Sequence, residues 1–109
     1  MSDMDKMLII VTTSDNRDEL DAIGTAVVKS RAAACAQVNG PITSHYIWEG
    51  KKETSTEWQL KIKTLESRYN DVEKIIKEMH SYEVPQIVAI PVTKGSSEFM
   101  EWIKNSVST

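Results

Sequence analysis

Residues His80, Ser81, Tyr82 and Glu83 place an imidazole, a hydroxyl, a phenol and a carboxylate side by side. Such a group could move a proton, hold a metal through the imidazole, or grip a polar ligand. Met79 stands just before it and adds a thioether, a donor suited to Cu(I). The one cysteine of the chain, Cys35, offers a thiolate as soft ligand or nucleophile. Cys35, Met79 and His80 are therefore the metal candidates. Each also has a plain structural role open to it. Cys35 lies among alanines, as a small buried hydrophobe would. Met79 completes an apolar helical stripe, and His80 can cap that helix. Tyr82 and Pro85 can fix a helix-to-strand turn. His45, in an alternating stretch, reads as solvated or interfacial.

Other chemistries lack their residues. There is no C-x-x-C and no H-E-x-x-H, so no zinc pattern is present. The four glycines are too scattered for a phosphate-binding loop. No Ser-His-Asp or paired-carboxylate arrangement follows from spacing. Cys35 with His80 is the one formal dyad, and a Cys/His-dependent enzyme is the least favoured reading. No catalysis is expected.

The elements that position these residues can be read in order. Met7 to Thr13 is an apolar, β-branched run, expected as a strand buried on both faces. Leu20, Ile23, Val27 and Val28 recur with a helical period, predicting a helix over 17–30 capped by Ser14 or Asp15. Period alone does not decide residues 32–38. Asn39-Gly40-Pro41 should bend or bulge the chain. Ile42 to Trp48 alternates, residues 49–53 read as a hairpin turn, and Glu57 to Thr64 returns as a strand. On that strand Trp58, Leu60 and Ile62 share one face, and Glu57, Gln59, Lys61 and Lys63 the other. Leu65, Tyr69, Val72, Ile76 and Met79 mark a second helix, capped near Thr64 or Ser67. Ile87 to Val92 is the fourth strand, expected to be buried. A short last helix carries Phe99, Met100, Trp102 and Ile103.

The order predicts an α+β fold of the ferredoxin-like β-α-β-β-α-β type with a short C-terminal helix, in a single domain over residues 1–109. Residues 1–6 are expected to be flexible. Both crossovers should be right-handed, placing two helices on one face of the sheet. The first and fourth strands are apolar on both faces, so the opposite face also needs cover. A patch that large exceeds what a monomer normally exposes. Other copies of the chain are therefore expected to cover it, with the hairpin bearing Tyr46, Trp48 and Trp58 reaching across.

Bulk properties narrow the partners. A chain of 109 residues can bury a core without disulfides or a structural metal. With 13 basic and 16 acidic residues and a formal charge of −3, no basic stripe stands out and nucleic acid is disfavoured. No apolar run approaches the roughly 20 residues that span a bilayer, so no membrane partner is expected. A lone cysteine and a polar, acidic start fit a soluble protein of the cytoplasm.

Several motifs together resemble the CutA family, the divalent-cation tolerance proteins. They are Arg31-Ala32-Ala33-Ala34-Cys35-Ala36, Tyr46-Ile47-Trp48-Glu49-Gly50-Lys51, Ile62-Lys63-Thr64, residues 80–87 and Ile90-Pro91-Val92, with the Phe99 to Trp102 spacing. The likeness runs from about Leu8 to Ile103. It implies a ferredoxin-like fold in a tight homotrimer and a role in tolerance of copper or another divalent metal. Some bacterial members carry a cysteine at the end of the first strand and a His-His pair before the tyrosine turn. Thr12, Met79 and His80 stand at those positions here, so one ligand is kept and one becomes a thioether. Signalling trimers of the PII type share this plan and bind ligands between subunits; they are the alternative. In such an assembly Lys63, His80, Tyr82 and Glu83 of one copy are expected to meet Tyr46, Trp48 or Glu49 of the next.

Overall fold

The computed structural model describes residues 5–107. Most of the start expected to be flexible lies outside the described residues. Asp5 and Lys6 make defined contacts: the Asp5 carboxylate accepts from the Ser67 N–H and hydroxyl, and the Lys6 carbonyl accepts from the Glu66 N–H.

Strand β1 (Met7–Ser14) is buried along nearly its whole length, as its unbroken apolar run predicts. Helix α1 (Arg17–Lys29) follows, capped by Asn16, whose side chain accepts from the Glu19 N–H. The expected caps fail because Ser14 is still strand. Its hydroxyl instead accepts from the Asn16 N–H and donates to the Glu19 carboxylate. Strands β2 (Cys35–Trp48) and β3 (Lys51–Leu65) are longer than their alternation shows. Their link is Glu49-Gly50 alone, with φ of 50° and 80°. Both lie in the left-handed region, as a two-residue type I′ hairpin demands. A short 3-10 turn over Glu66–Arg68 leads into α2 (Tyr69–Met79). Strand β4 (Val88–Pro91) and helix α3 (Ser97–Ser106) complete the chain.

The four strands form one antiparallel sheet in the order β2-β3-β1-β4. This is the split β-α-β plan, since each helix joins two strands that run parallel with another strand between them. On one face, Ile10, Leu60 and Ile62 pack with Leu20, Ile23 and Val27 of α1 and Val72 and Ile76 of α2. On the other, α3 brings Ile103, with Val107 beyond it, onto Met7 and Leu65. Leu65 therefore ends β3 and leaves the α2 stripe. Met79 leaves it too and is 38% exposed. The His80 side chain, 0% exposed, takes the buried place at that helix end.

Within one chain the fourth strand is not buried, and the cover expected for it from other copies would have to fall here. Strand β4 is an edge strand, and in the single chain Val88 and Ile90 are 45% and 51% exposed. They pair with Val11 and Ile9 and so share the face away from α1 and α2. Helix α3 covers only the Met7–Leu65 end of that face.

The β2–β3 hairpin projects past the sheet. Strand β1 pairs with β3 only as far as Ser14 and Trp58, so the hairpin beyond Glu57 is a two-stranded arm. The radius of gyration, 14.6 Å, exceeds the about 13 Å of a compact chain this long. Between Asn39 and Ile42 the register shifts at the expected Gly40-Pro41 position. A Cβ on Gly40, whose φ is 147°, would stand 2.6 Å from the Trp58 ring. Only glycine fits this close approach.

Candidate functional site

Where the arm leaves the sheet, it meets the turn after α2. Helix α2 ends because His80 is extended at its C-cap. The turn that follows is held by hydrogen bonds across the chain. His80 Nε2 lies 2.7 Å from the Thr13 carbonyl oxygen, and the Tyr82 N–H donates to His80 Nδ1 at 3.1 Å. A carbonyl only accepts, so Nε2 carries the proton and Nδ1 is the acceptor. The Ser81 N–H and hydroxyl both donate to Glu19, which also accepts from Ser14.

These contacts aim Tyr82 at the base of the arm. Its hydroxyl accepts from the Asp15 N–H at 2.9 Å and donates to Glu57 Oε2 at 2.6 Å. Burial, then the hydrogen bond and charge of Glu57, push the Tyr82 phenol well above the ordinary tyrosine range. The Asp15 N–H acts in the opposite sense. The neutral phenol is thus the form this site holds, a donor toward Glu57.

Beside this pair opens a groove of about 630 Å³. Thr13 and Glu57 line it from the sheet, Ser44, His45, Tyr46 and Trp48 from the arm, and 82–86 from the turn. Its size is that of a small-ligand site. Tyr46, Trp48, Tyr82 and Glu83 are thereby gathered within one chain, where two copies were expected to supply them. Glu49, Lys63 and His80 do not line the groove. Glu49 sits in the tight turn. Lys63 donates to Gln37 and lies 5.6 Å over the Phe99 ring, at the other end of the sheet. His80 acts from behind, as the acceptor that sets the Tyr82 backbone.

The metal candidates are not brought together. Cys35 is half-buried and pairs with Lys63, which pairs with Ile9. His80 is at Thr13, four residues or about 13 Å along β1 from that row. Both His80 ring nitrogens are occupied by backbone partners, and Met79 points outward. Among the described residues, no three His, Cys, Asp or Glu side chains gather to hold an ion. The residues present do not fit a metal centre built within one chain. The same distance separates Cys35 and His80 as nucleophile and base.

Glu57 is the site residue that sequence reasoning missed. Alternation assigned it to a solvated face, and nothing in the sequence links it to Tyr82, 25 residues on. Only the register, which sets Glu57 just past the end of β1, brings the two together.

The strand order and this groove define an α+β domain of the split β-α-β class, with a ligand-sized site at the root of a projecting arm. Residues 8–106 match the model of the CutA1 divalent ion tolerance protein, and the chain belongs to that family. It is 37% identical over 98 residues to the divalent-cation tolerance protein CutA of Archaeoglobus fulgidus, covering 90% of this chain and 95% of that one. It is 34% identical to the chloroplastic protein CutA of Arabidopsis thaliana, covering 91% of this chain. The chain spans about half the length of its plant relatives, 54% and 56% for the Arabidopsis and rice proteins. The solved structure of CutA1 from Shewanella sp. SIB1 superposes with a TM-score of 0.91 at 33% identity, covering 95% of this chain and 97% of that one. The Archaeoglobus structure, described as a periplasmic divalent cation tolerance protein, gives 0.89 at 35% identity, covering 94% and 99%. No helix among the described residues is long and apolar enough to cross a membrane.

Proposed function

We propose that this chain is a non-catalytic homotrimeric binding protein in divalent-metal tolerance, with the groove at Tyr82 as its ligand site. The observation that carries the reading is the groove itself, where a half-buried phenol bonded to a buried carboxylate faces two exposed aromatic side chains of the arm. Binding without turnover is supported by the distance between Cys35 and His80 and by the family's name. The role in tolerance then runs through the groove ligand, since copper or another divalent metal lacks an intrachain donor set. The trimer is supported by the bare β4 edge, by exposed Val88 and Ile90, and by Ile47 and Trp48 at the arm tip. Unpaired edges and apolar patches of this kind are covered in stable proteins. The lone cysteine supports the cytoplasm as the compartment.

Light scattering on the purified protein at micromolar concentration tests the assembly, with three chain masses expected and a folded monomer sinking it. A cell lacking its own copy and challenged with copper tests the site. The wild-type gene should restore growth, and Trp48→Ala with Tyr82→Phe should not. Restoration by that double variant, folded and at equal abundance, would remove the groove from the function.

A further inference from the structure

Two opposite charges stand on one face of β3, and among the described residues neither has an ionic partner in its own chain. Glu57 is 6% exposed and accepts the Tyr82 hydroxyl at Oε2. Lys61 is exposed, and four residues of strand, about 13 Å, hold it apart from Glu57. His45 lines the same groove as Glu57 but does not neutralise it. The His45 Nδ1 lies 3.1 Å from Thr54 Oγ1, three rungs along the arm and, by alternation, on its other face. Glu83 also lines the groove, but it is exposed and keeps its water. Glu57 is therefore the groove carboxylate that needs a counter-charge, and no lysine or arginine among the described residues lines the groove.

Lys61 stands beside the bare strip. It pairs with Val11, which pairs with Val88, so all three share the face away from α1 and α2. The neighbouring rows on that face hold Asn39, Gln59 and Thr13 on one side and Cys35, Lys63 and Ile9 on the other. None of these is acidic. Lys63 is engaged by Gln37 and the Phe99 ring, which leaves Lys61 as the unmatched cation. Whatever covers Val88 also takes the Lys61 ammonium out of water. A buried charge holds only beside a counter-charge, so the cover must bring a carboxylate. The arm of a second copy brings one. Its first rung is Ile42 with Glu57, and Tyr46 and Trp48 follow on the same face. The aromatic side chains match the Val88–Ile90 strip, and Glu57 at the root matches Lys61. Resting on the homotrimer proposed above, we propose that Lys61 of each copy pairs with Glu57 of the next. The groove is then a composite site, with walls from one chain and its ammonium group from another. It is complete only in the assembly, so ligand binding and association are coupled.

The test is a double-mutant cycle on the purified full chain. Glu57→Gln keeps an acceptor for Tyr82 and removes the charge. Lys61→Met keeps the side-chain length and removes the charge. Light scattering against dilution, in urea that half-dissociates the wild type, reads the dissociation constant, and circular dichroism checks the fold. Each single change strands one buried charge and should raise the constant at least about thirtyfold. The double variant strands none and should return to within about tenfold of the wild type. Any cost of Glu57→Gln to the fold itself is the same with or without Lys61 and cancels in the cycle. Additive losses, or a silent Lys61→Met, overturn the pair, while a wild-type mass of three chains keeps the assembly. Coupling of Glu57→Gln to Lys51→Met instead puts the cation at the arm tip and also overturns the pair. A wild type that scatters as one chain removes both readings. Carbodiimide joining of isotope-labelled to unlabelled chains gives a second measurement. A mixed-label link from Lys61 to Glu57 is expected, and a link from Lys61 to Glu53 or Glu83 instead overturns the proposal.

Discussion

At the scale of single residues, Tyr82 holds the site by bridging two segments distant in the chain. Its hydroxyl joins the Asp15 N–H to the Glu57 carboxylate. Tyr82→Phe leaves both short of a partner and should cost about 2 kcal/mol in urea unfolding, since hydrogen bonds to charged groups contribute roughly 1.5–3 kcal/mol. The phenol also sets a pH dependence. Tyr82, and Tyr69 through burial and Glu73, titrate higher in the folded chain than ordinary tyrosine. Below about pH 10 folded and unfolded states both keep these protons, so the two groups leave stability flat. Above it the unfolded state ionises first, and stability falls as pH rises toward the folded values. Unfolding midpoints at about pH 8 and pH 11 should therefore converge when both tyrosines are changed to phenylalanine. An unchanged alkaline loss in that double variant would exclude this origin. His80 is a buried structural histidine in the same network. His80→Ala strands the Thr13 carbonyl and the Tyr82 N–H and should cost roughly 2–4 kcal/mol in the same assay, with no metal added. A loss well below 1 kcal/mol would release His80 from this role. The crowding of functional groups over residues 80–83 is legible in the sequence because they are neighbours. Glu57 is not legible, because its role depends on a register that only long-range pairing sets.

At the scale of elements, the sequence shows the helices and strands through their periods and hides their ends. Asn16 caps α1 in place of Ser14 because the strand runs on to Ser14. The hairpin turn shrinks to two residues because ladder pairing continues to Trp48 and Lys51. That turn places Glu49, a residue with a Cβ, at φ 50°. Asparagine tolerates this conformation better, so Glu49→Asn should raise stability by about 0.5–1 kcal/mol. A lower melting temperature would contradict the turn type. Gly24, inside α1, faces the sheet. An added Cβ would stand 3.4 Å from the Ala36 Cβ and from Leu60 Cδ1, in ordinary contact. Gly24→Ala should therefore stabilise by about 0.5–1 kcal/mol through helix propensity. Gly24→Val, which needs more room than that contact leaves, should destabilise by roughly 1–3 kcal/mol. Chemical unfolding of the pair checks both signs, and a stable valine variant would show that the helix stands off the sheet.

At the scale of the whole molecule, an apolar first and fourth strand foretell the shortage of cover. The structure locates it. Helix α3 closes the Met7–Leu65 end, and the Val88–Ile90 strip stays bare. What covers it is not written in the sequence, since an interface depends on shapes from both sides. Val88→Glu with Ile90→Glu alters side chains that are already exposed, so the fold should change by no more than about 0.5 kcal/mol per site. On the assembly proposed above, scattering mass should fall to that of one chain while circular dichroism is kept. An unaltered mass would place the interface elsewhere.

The arm beyond Glu57 carries one further consequence, for how amide protons exchange with solvent. Two strands with no helix over them are marginal by themselves in water. Segments with little buried area open locally at a fraction of the global unfolding free energy. In a dilute, unassembled chain, amides over 43–47 and 52–56 should therefore exchange quickly, while those of Ile10 and Ile62 wait for global unfolding. On the assembly proposed above, raising the protein concentration should slow the first set and leave the second unchanged, because of the two sets only the arm gains a neighbour. The tip of the hairpin then acts as a gauge of association that can be read one peptide group at a time. Exchange in the arm that ignored concentration would mean that its ladder is rigid without help.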